Sequence, residues 1–421
     1  MNGYRPPEKM NTQNDKLVRP AKIISGELTV PGDKSISHRS ALLSALAEGK
    51  STIRGFLMGE DCLNTINALK AMGTEISITE DVIIISGTQG KLKKPSHVLD
   101  LGNSGTSIRL LAGILSAQPF VSEMTGDASL RSRPMRRIKE PLELMGAKVE
   151  LLGENGCAPI RITGGKLRAI EYRLPVVSAQ VKSCVLLAGL FAEGTTSVIE
   201  PIPTRDHTER MLKAMGADIQ IAGDVISIRG NGGAPLFLKA CSWEIPGDFS
   251  SSAFWIGAAA SRPGAEVTIK NVGLNPRRTA FIDVLREMGA DIKVIQEKPA
   301  GWEPSGMVVV RGNRLKGIHV GGTIIPNLID ELPLIAMLGA IAEGKTIISD
   351  AHELKVKESN RIVTTATNLK TLGVRVITKE DGLVVEGSAR IRGGCELDSF
   401  GDHRIAMASA ILALSADAPV L

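Results

Sequence analysis

Aromatic side chains are scarce: the 421 residues include 8 Phe, 3 Trp and 2 Tyr. Proteins that hold single-stranded nucleic acid use such rings as stacking platforms, so that class is disfavoured. Cysteine is sparse as well. Cys62, Cys157, Cys184, Cys241 and Cys395 are odd in number and show no Cys-x-x-Cys spacing, which argues for free thiols in a reducing compartment and against a disulfide frame or zinc site. The 6 His are scattered without ligand spacing, so no metal is expected. The phosphate loop GxxxxGK[ST], the HExxH pair and the GxSxG elbow are all missing, and no cofactor is expected. Neither charge sign dominates: 50 Lys and Arg face 45 Asp and Glu, a formal +5, too mild for a binder of bulk polyanions. No uninterrupted apolar run approaches the roughly 20 residues of a membrane helix. The first twenty residues carry Glu8, Asp15 and three prolines, which fits neither a signal nor a transit peptide. A cytoplasmic location is expected.

What is abundant is glycine, 44 residues, in a chain 43% hydrophobic and 23% charged. Those are globular proportions, and about 100–200 residues per domain predicts two or three domains. Self-similarity organises them. An extended segment, a Gly/Ser/Asp-rich turn, an Ala/Leu/Ile-rich helix and a further strand recur from Gly26, Leu99, Leu174, Trp243, Ile325 and Leu397. Between them runs a companion: an amphipathic helix ending in glycine, then two alternating strands, as in INALKAMGTEISITEDVIIISG from Ile66. The pattern predicts six βαβαββ units. The sixth companion is missing before Leu421, so the last unit is expected to be truncated, with apolar surface left uncovered.

Six turn-to-helix junctions mean six helix N-termini, each with unpaired N–H groups and partial positive charge that attract anions. Ser, Asp and Asn at such positions are also ordinary caps. Long cations at or near most junctions (Lys34, Arg39, Arg109, Lys182, Arg404) favour the anion reading. SLRSRPMRR adds Arg131, Arg133, Arg136 and Arg137, of which the last two fit an ordinary solvated charge run. KVKESNR places Lys357 and Arg361 four apart, predicting one helical face with Glu358 between them. Arg suits a two-pronged grip on carboxylate and phosphate, so a ligand with several anionic groups unifies these features. Candidate proton-transfer groups are Asp330, Glu331, Glu358, Asp248 and Asp402.

The series GDKSISHR, LGNSGTSIR, SAQVKS, TRDHTE, IPGDFSSSAF, IDELP, KVKESNRI and GDHRIAMA resembles, in order and spacing, that of the 5-enolpyruvylshikimate-3-phosphate synthase family. SAQVKS and TRDHTE resemble its second bacterial class. The resemblance implies a two-domain inside-out α/β barrel, three βαβαββ units per domain, with helix N-termini facing a cleft. The chain would cross between domains near Pro31–Asp33 and Pro246–Asp248, giving a discontinuous domain of residues 1–32 plus 249–421 and a continuous one of 33–248. It further implies transfer of the enolpyruvyl group of phosphoenolpyruvate to the 5-hydroxyl of shikimate 3-phosphate, by a monomer with no nucleic-acid or membrane partner.

Carried over motif by motif, Lys34, Ser35, Arg39, Ser178, Ala179, Gln180, Arg205, Asp330 and Lys357 would hold shikimate 3-phosphate. Lys34, Gly105, Arg133, Gln180, Arg361 and Arg404 would hold phosphoenolpyruvate. Asp330 is the expected base, Glu358 the expected acid, and Lys34 assists. Ala179 stands where the family has serine. A further phosphoenolpyruvate-binding lysine of the family falls beyond residue 421. Gly105 is the small residue usual beside phosphoenolpyruvate; alanine there is associated with glyphosate tolerance, a route not taken here. Two alternatives stand: the related UDP-N-acetylglucosamine enolpyruvyl transferase, against which GDASLRSRPMRR lacks that family's reactive cysteine, and a non-catalytic polyanion-binding module, which would not need Asp330 and Glu358 beside the cations.

Overall fold

Glycine punctuates the chain as its pattern predicts. In the computed structural model, which describes residues 15–21, 23–298 and 302–421, the five companion helices end beside Gly73, Gly146, Gly216, Gly289 and Gly373. All five have φ between 80° and 111°, a left-handed conformation that costs residues with a Cβ. The expectation about a leader peptide rests partly on Glu8, which lies outside the described residues, as do the first residues of the expected 1–32 segment.

Six further helices form the interior: α1 Lys34–Leu46, α2 Gly105–Leu115, α3 Ala179–Gly189, α4 Phe249–Ala260, α5 Leu332–Gly339 and α6 His403–Ala413. Asp33, Ser104, Ser178, Asp248 and Asp402 cap five of them, each side chain accepting a backbone N–H of the first turn. The sixth, α5, starts with Pro333 in its first turn and has no side-chain cap. Burial on nearly every side replaces amphipathicity in α1, α2, α3 and α5; in α1, for example, only Lys34 and Ser35 are less than buried, whereas α6 leaves His403 and Ala406 exposed. One trio packs α2 against both α1 and α3, and in the other α4, α5 and α6 all touch. The α2–α3 approach is close enough to require Gly113, where a Cβ would lie 2.3 Å from the Cys184 carbonyl oxygen.

Among the described residues, five four-stranded sheets surround the helices, all with the same strand pattern. In each, the first two strands are parallel and an antiparallel hairpin completes the sheet; in three of the five the parallel pair flanks a helix crossover. Two sheets depart from the sequence-contiguous repeats. The strand Ser25–Thr29 directly precedes α1, yet pairs in parallel with Glu266–Gly273, which follows α4. Ser242–Glu244 directly precedes α4, yet pairs with Lys50–Arg54, which follows α1. The two units therefore exchange first strands. The crossing segments hydrogen-bond to each other, Asp33 N–H to Pro246 O and Asp248 N–H to Pro31 O, both 2.8 Å. The first of them also runs so close to the end of the strand Lys50–Arg54 that a Cβ on Gly32 would sit 1.8 Å from the Gly55 oxygen.

One other expectation needs correction, and one holds in part. The segment from Ile325 is not extended: Ile325–Leu328 is a short helix, and the first strand of that unit is His319–Val320. The sixth unit lacks a four-stranded sheet among the described residues and leaves Phe400 exposed and Met407 and Ile411 half-buried, as expected, but part of its apolar surface is covered. Ile391 bridges Ala416, Val18 bridges Val420, and Ile391 and Val420 are buried. A segment from the start of the chain thus covers the last one.

Buried apolar residues fall into two clusters, one from Ile36 to Ile245 and one from Phe249 to Val420 that also gathers Val18, Ile24, Leu28 and Val30. Trp302, from the second stretch of chain, packs on the first cluster and meets Trp243 edge-on with ring centroids 4.9 Å apart. Among the described residues no single helix is long and apolar enough to cross a membrane.

Candidate active site

All six interior helices present their N-terminal ends to one cavity of about 630 Å³, within the ~300–1,000 Å³ usual for small-molecule sites. Lys34 and Ser35 line it from α1, Thr106 from α2, Ser178, Ala179 and Gln180 from α3, Asp248 from α4, Asp330 from the turn before α5, and His403 and Arg404 from α6. Arg133, Arg205, Lys357, Glu358 and Arg361 complete the set of expected residues on its wall. Nine Lys and Arg side chains and five carboxylates line the cavity, a cationic surplus of four on its wall; Asp61 and Asp402, just behind that wall, pair with Lys34 and Arg361.

Two expected residues lie behind this wall. Arg39 is 4% exposed and donates to Thr208 Oγ1 at 2.7 Å, Ser183 Oγ at 2.9 Å and the Ser35 carbonyl at 3.0 Å. It therefore braces the backbone under Ser35. Gly105 sits beneath two guanidinium groups, and a Cβ there would meet Arg109 Nη1 at 2.7 Å and Arg133 Nη1 at 3.0 Å. Lys182 is fully buried and does not reach the cavity; its ammonium is held by Glu200 at 2.8 Å and Glu209 at 2.6 Å. Glu200 also accepts from the Thr204 hydroxyl, which steadies the turn that carries Arg205.

The carboxylates divide by their surroundings. Asp402, with no exposure, accepts from Arg361 Nε at 2.8 Å and caps α6, so it is a structural partner and not a free base. Glu331, 2% exposed, accepts from the Ser250 hydroxyl, and burial raises its pKa. Asp248 accepts from Ser251 N–H at 2.9 Å and from Lys34 N–H at 3.1 Å, tying α1 to α4 at the crossing. Burial would raise it, but Arg278 and Arg404 hold it below its ordinary value.

Asp330 and Glu358 face the cavity. Asp330 pairs with Arg205 and lies 3.3 Å from Arg361. Burial would raise its carboxyl, yet Arg205, Arg404, Arg361 and Lys357 hold it well below the usual carboxylate range. Glu358 accepts from Arg361 at 2.6 Å and lies 3.3 Å from Arg133. Against the effect of burial, those two guanidinium groups bring it down to about 2. Burial, partly offset by Asp330, lowers Lys357.

The expected shared helical face of Lys357 and Arg361 is not found. Lys357 has extended backbone, Asn360 caps the helix Arg361–Thr371, and the two cations converge from a bend and a helix start. Arg136 is exposed, as an ordinary charge run requires. Arg137 is not: it lines the cavity and grips Glu353 with two hydrogen bonds. Sequence reasoning also missed Arg278, 3% exposed, which donates to Ser250 Oγ at 2.7 Å and lies 3.8 Å from Asp330. Its NPRRT context leads into the helix Ala280–Glu287, which is not one of the six interior junctions. Arg109 donates to Gln180 Oε1 at 2.6 Å; burial, then the charges of Arg133 and Arg137, lower its pKa to about 10, so it remains a cation. Lys34 pairs with Asp61, a partner from the first turn of the helix Glu60–Ala71.

Comparison with known proteins agrees with this geometry. The family model of EPSP synthase (3-phosphoshikimate 1-carboxyvinyltransferase) matches residues 18–421. The 3-phosphoshikimate 1-carboxyvinyltransferase of Bacillus licheniformis is 48% identical over 398 residues, covering 94% of this chain and 92% of the relative. That of Alkaliphilus metalliredigens is 50% identical over 399 residues, with the same coverage of each. The solved EPSP synthase of Acinetobacter baumannii superposes with a TM-score of 0.83 at 47% identity, covering 96% of this chain and 92% of that one. The enolpyruvyl transferase NikO of Streptomyces tendae shares the fold, with a TM-score of 0.75 at 19% identity over 96% of this chain and 91% of that one. A cation-lined cavity at six helix ends, matched over nearly the full sequence, assigns the chain to the EPSP synthase family, the transferases that move the enolpyruvyl group of phosphoenolpyruvate to the 5-hydroxyl of shikimate 3-phosphate.

Proposed function

We propose that shikimate 3-phosphate lies against Lys34, Ser35, Ser178, Ala179, Gln180, Arg205, Asp330 and Lys357, with Arg39 supporting that wall from below. Phosphoenolpyruvate then lies against Lys34, Arg133, Gln180, Arg361 and Arg404, over Gly105. The observation that carries this reading is a wall on which nine cations outnumber five carboxylates, closed by the N-terminal ends of six helices. Each substrate brings a carboxylate and a phosphate monoester, the latter worth roughly −1.5 to −2 at neutral pH.

Asp330, ionised at neutral pH, takes the proton of the 5-hydroxyl as that oxygen attacks C2 of phosphoenolpyruvate. Glu358 delivers a proton to the methylene carbon, giving a tetrahedral intermediate that keeps its phosphate. Loss of phosphate and of a methyl proton then leaves the enolpyruvyl ether. Lys34 faces the anionic groups of both substrates and offsets the charge that develops between them. Glu358 is a poor donor while Arg361 and Arg133 stabilise its anion. Phosphoenolpyruvate draws those guanidinium groups to itself, which raises the Glu358 pKa when a donor is needed.

Arg205→Ala tests the arrangement. Loss of a charged hydrogen bond should raise the KM for shikimate 3-phosphate by about 10- to 100-fold, with a smaller change for phosphoenolpyruvate. Unchanged affinity for shikimate 3-phosphate by calorimetry would remove Arg205 from that subsite.

The same reading divides the chain into a discontinuous domain, 1–32 plus 249–421, and a continuous domain, 33–248. The two apolar clusters and the exchanged first strands support it, because each division keeps its own borrowed strand. Residues 33–248 expressed alone should unfold cooperatively in urea; a non-cooperative transition would refute the boundary. We further read the protein as a cytoplasmic monomer without nucleic-acid or membrane partners, expected to scatter light as one 44.7 kDa chain.

A further inference from the structure

Three of the proposed site residues, Lys357, Glu358 and Arg361, belong to one short stretch between the 3-10 turn His352–Val356 and the helix that Arg361 begins. No sheet holds this stretch. Arg133, which faces Glu358 from the other half of the molecule, sits in the turn before the helix Arg136–Met145. The two pieces therefore need a register with respect to each other, and the Arg133–Glu358 contact, at 3.3 Å, is a single-pronged one.

One pair supplies that register. Arg137 Nη1 donates to Glu353 Oε2 and Arg137 Nη2 to Glu353 Oε1, both at 2.9 Å, across 216 residues of chain. Arg137 is in the first turn of its helix, four residues from Arg133, and Glu353 is five residues before Glu358. Planar guanidinium and planar carboxylate in a fork-to-fork geometry fix orientation as well as distance. The side chains are 29% and 35% exposed, a setting in which an ion pair adds little to the stability of the fold. The Arg137 charge and hydrogen bond hold Glu353 below its ordinary pKa despite burial, so both partners are charged at neutral pH.

We propose that Arg137 and Glu353 are positioning residues, forming a latch across the cleft that seats the 352–361 stretch against Arg133. The phosphoenolpyruvate subsite then receives cations from both halves at once. This rests on the assignment of Arg133, Glu358 and Arg361 to phosphoenolpyruvate made above. Neither latch residue touches the reacting atoms; each acts by holding Arg133 and Glu358 in register.

The test is a charge exchange read by steady-state kinetics at saturating shikimate 3-phosphate. Arg137→Glu and Glu353→Arg alone should each raise the KM for phosphoenolpyruvate by about tenfold, with a smaller change in kcat, and the double exchange should restore it to within about threefold. Should either charge reversal fail to fold, Arg137→Gln and Glu353→Gln provide the same cycle: each single and the double variant should then show similar KM increases. Single variants with an unchanged KM would overturn the latch. So would a double exchange as impaired as the worse single variant, the result expected if Arg137 bound substrate directly. Failure of the subsite assignment reads differently: Glu358→Gln would then keep normal turnover whatever Arg137 does.

Discussion

Glu358→Gln should slow turnover by about 10²–10⁴-fold, the usual contribution of a positioned proton donor, while leaving the KM for phosphoenolpyruvate unchanged or lower. The split follows from the partners of Glu358. Glu358 pairs with Arg361 and Arg133, at 2.6 and 3.3 Å, the cations proposed for phosphoenolpyruvate. Its carboxylate therefore competes with the substrate's anionic groups, and an uncharged amide of the same shape removes the competitor together with the proton. An interaction that served binding alone would move KM and spare kcat. Steady-state rates with both substrates varied distinguish these cases, and a kcat within tenfold of the unmodified enzyme would show that another group protonates the methylene carbon. Gln at 358 also leaves Arg361 paired to Asp402 at 2.8 Å, so the loss should not be traceable to unfolding.

Local chemistry made much of this legible beforehand, and tertiary choice hid the rest. Helix starts at Asp33, Ser104, Ser178, Asp248 and Asp402 could be read because a capping side chain and its N–H partner lie within three residues of each other. The companion-helix ends at Gly73 and Gly146 were legible because left-handed backbone selects glycine. The exchange of Ser25–Thr29 and Ser242–Glu244 was not, since an alternating strand fits the edge of either sheet and sequence adjacency favours the wrong one. Arg136 and Arg137 are chemically the same, and only the phase of a helix decides which one meets Glu353. At Lys357 a signal existed: Ser359–Asn360 before an apolar run marks a helix start, and Asn360 does accept from Val363 N–H. That cap puts Lys357 outside the helix. Arg278 and Asp61 gave no local signal, because their importance lies in partners found through the fold.

Arg361→Met should be damaging in a second way, through stability. Arg361 is 1% exposed and donates to Asp402, which has no exposure, to Glu358 and to Asp330. Methionine fills similar volume but leaves the Asp402 carboxylate buried without its counter-charge. Breaking one side of such a pair costs about 3–5 kcal/mol, and at roughly 2–4 °C per kcal/mol for a chain of a few hundred residues the melting temperature should fall by at least ~6 °C. Arg361→Met combined with Asp402→Asn should recover much of that loss without recovering activity, since the phosphoenolpyruvate cation stays absent. Acid adds a check with a definite sign. Asp330 and Glu358 titrate below their unfolded values of about 3.9 and 4.3. The stability they contribute is therefore complete above that range and is lost as pH falls through their folded values, near 2 for Glu358. Arg361→Met removes a cation both share, so its melting temperature should decline less steeply between pH 5 and pH 3, about the window where the unfolded carboxylates titrate, than that of the unmodified protein. An equal decline would mean that Arg133, Arg205 and Arg404 alone hold the two carboxylates down, and that Arg361 serves Asp402 and the substrate only.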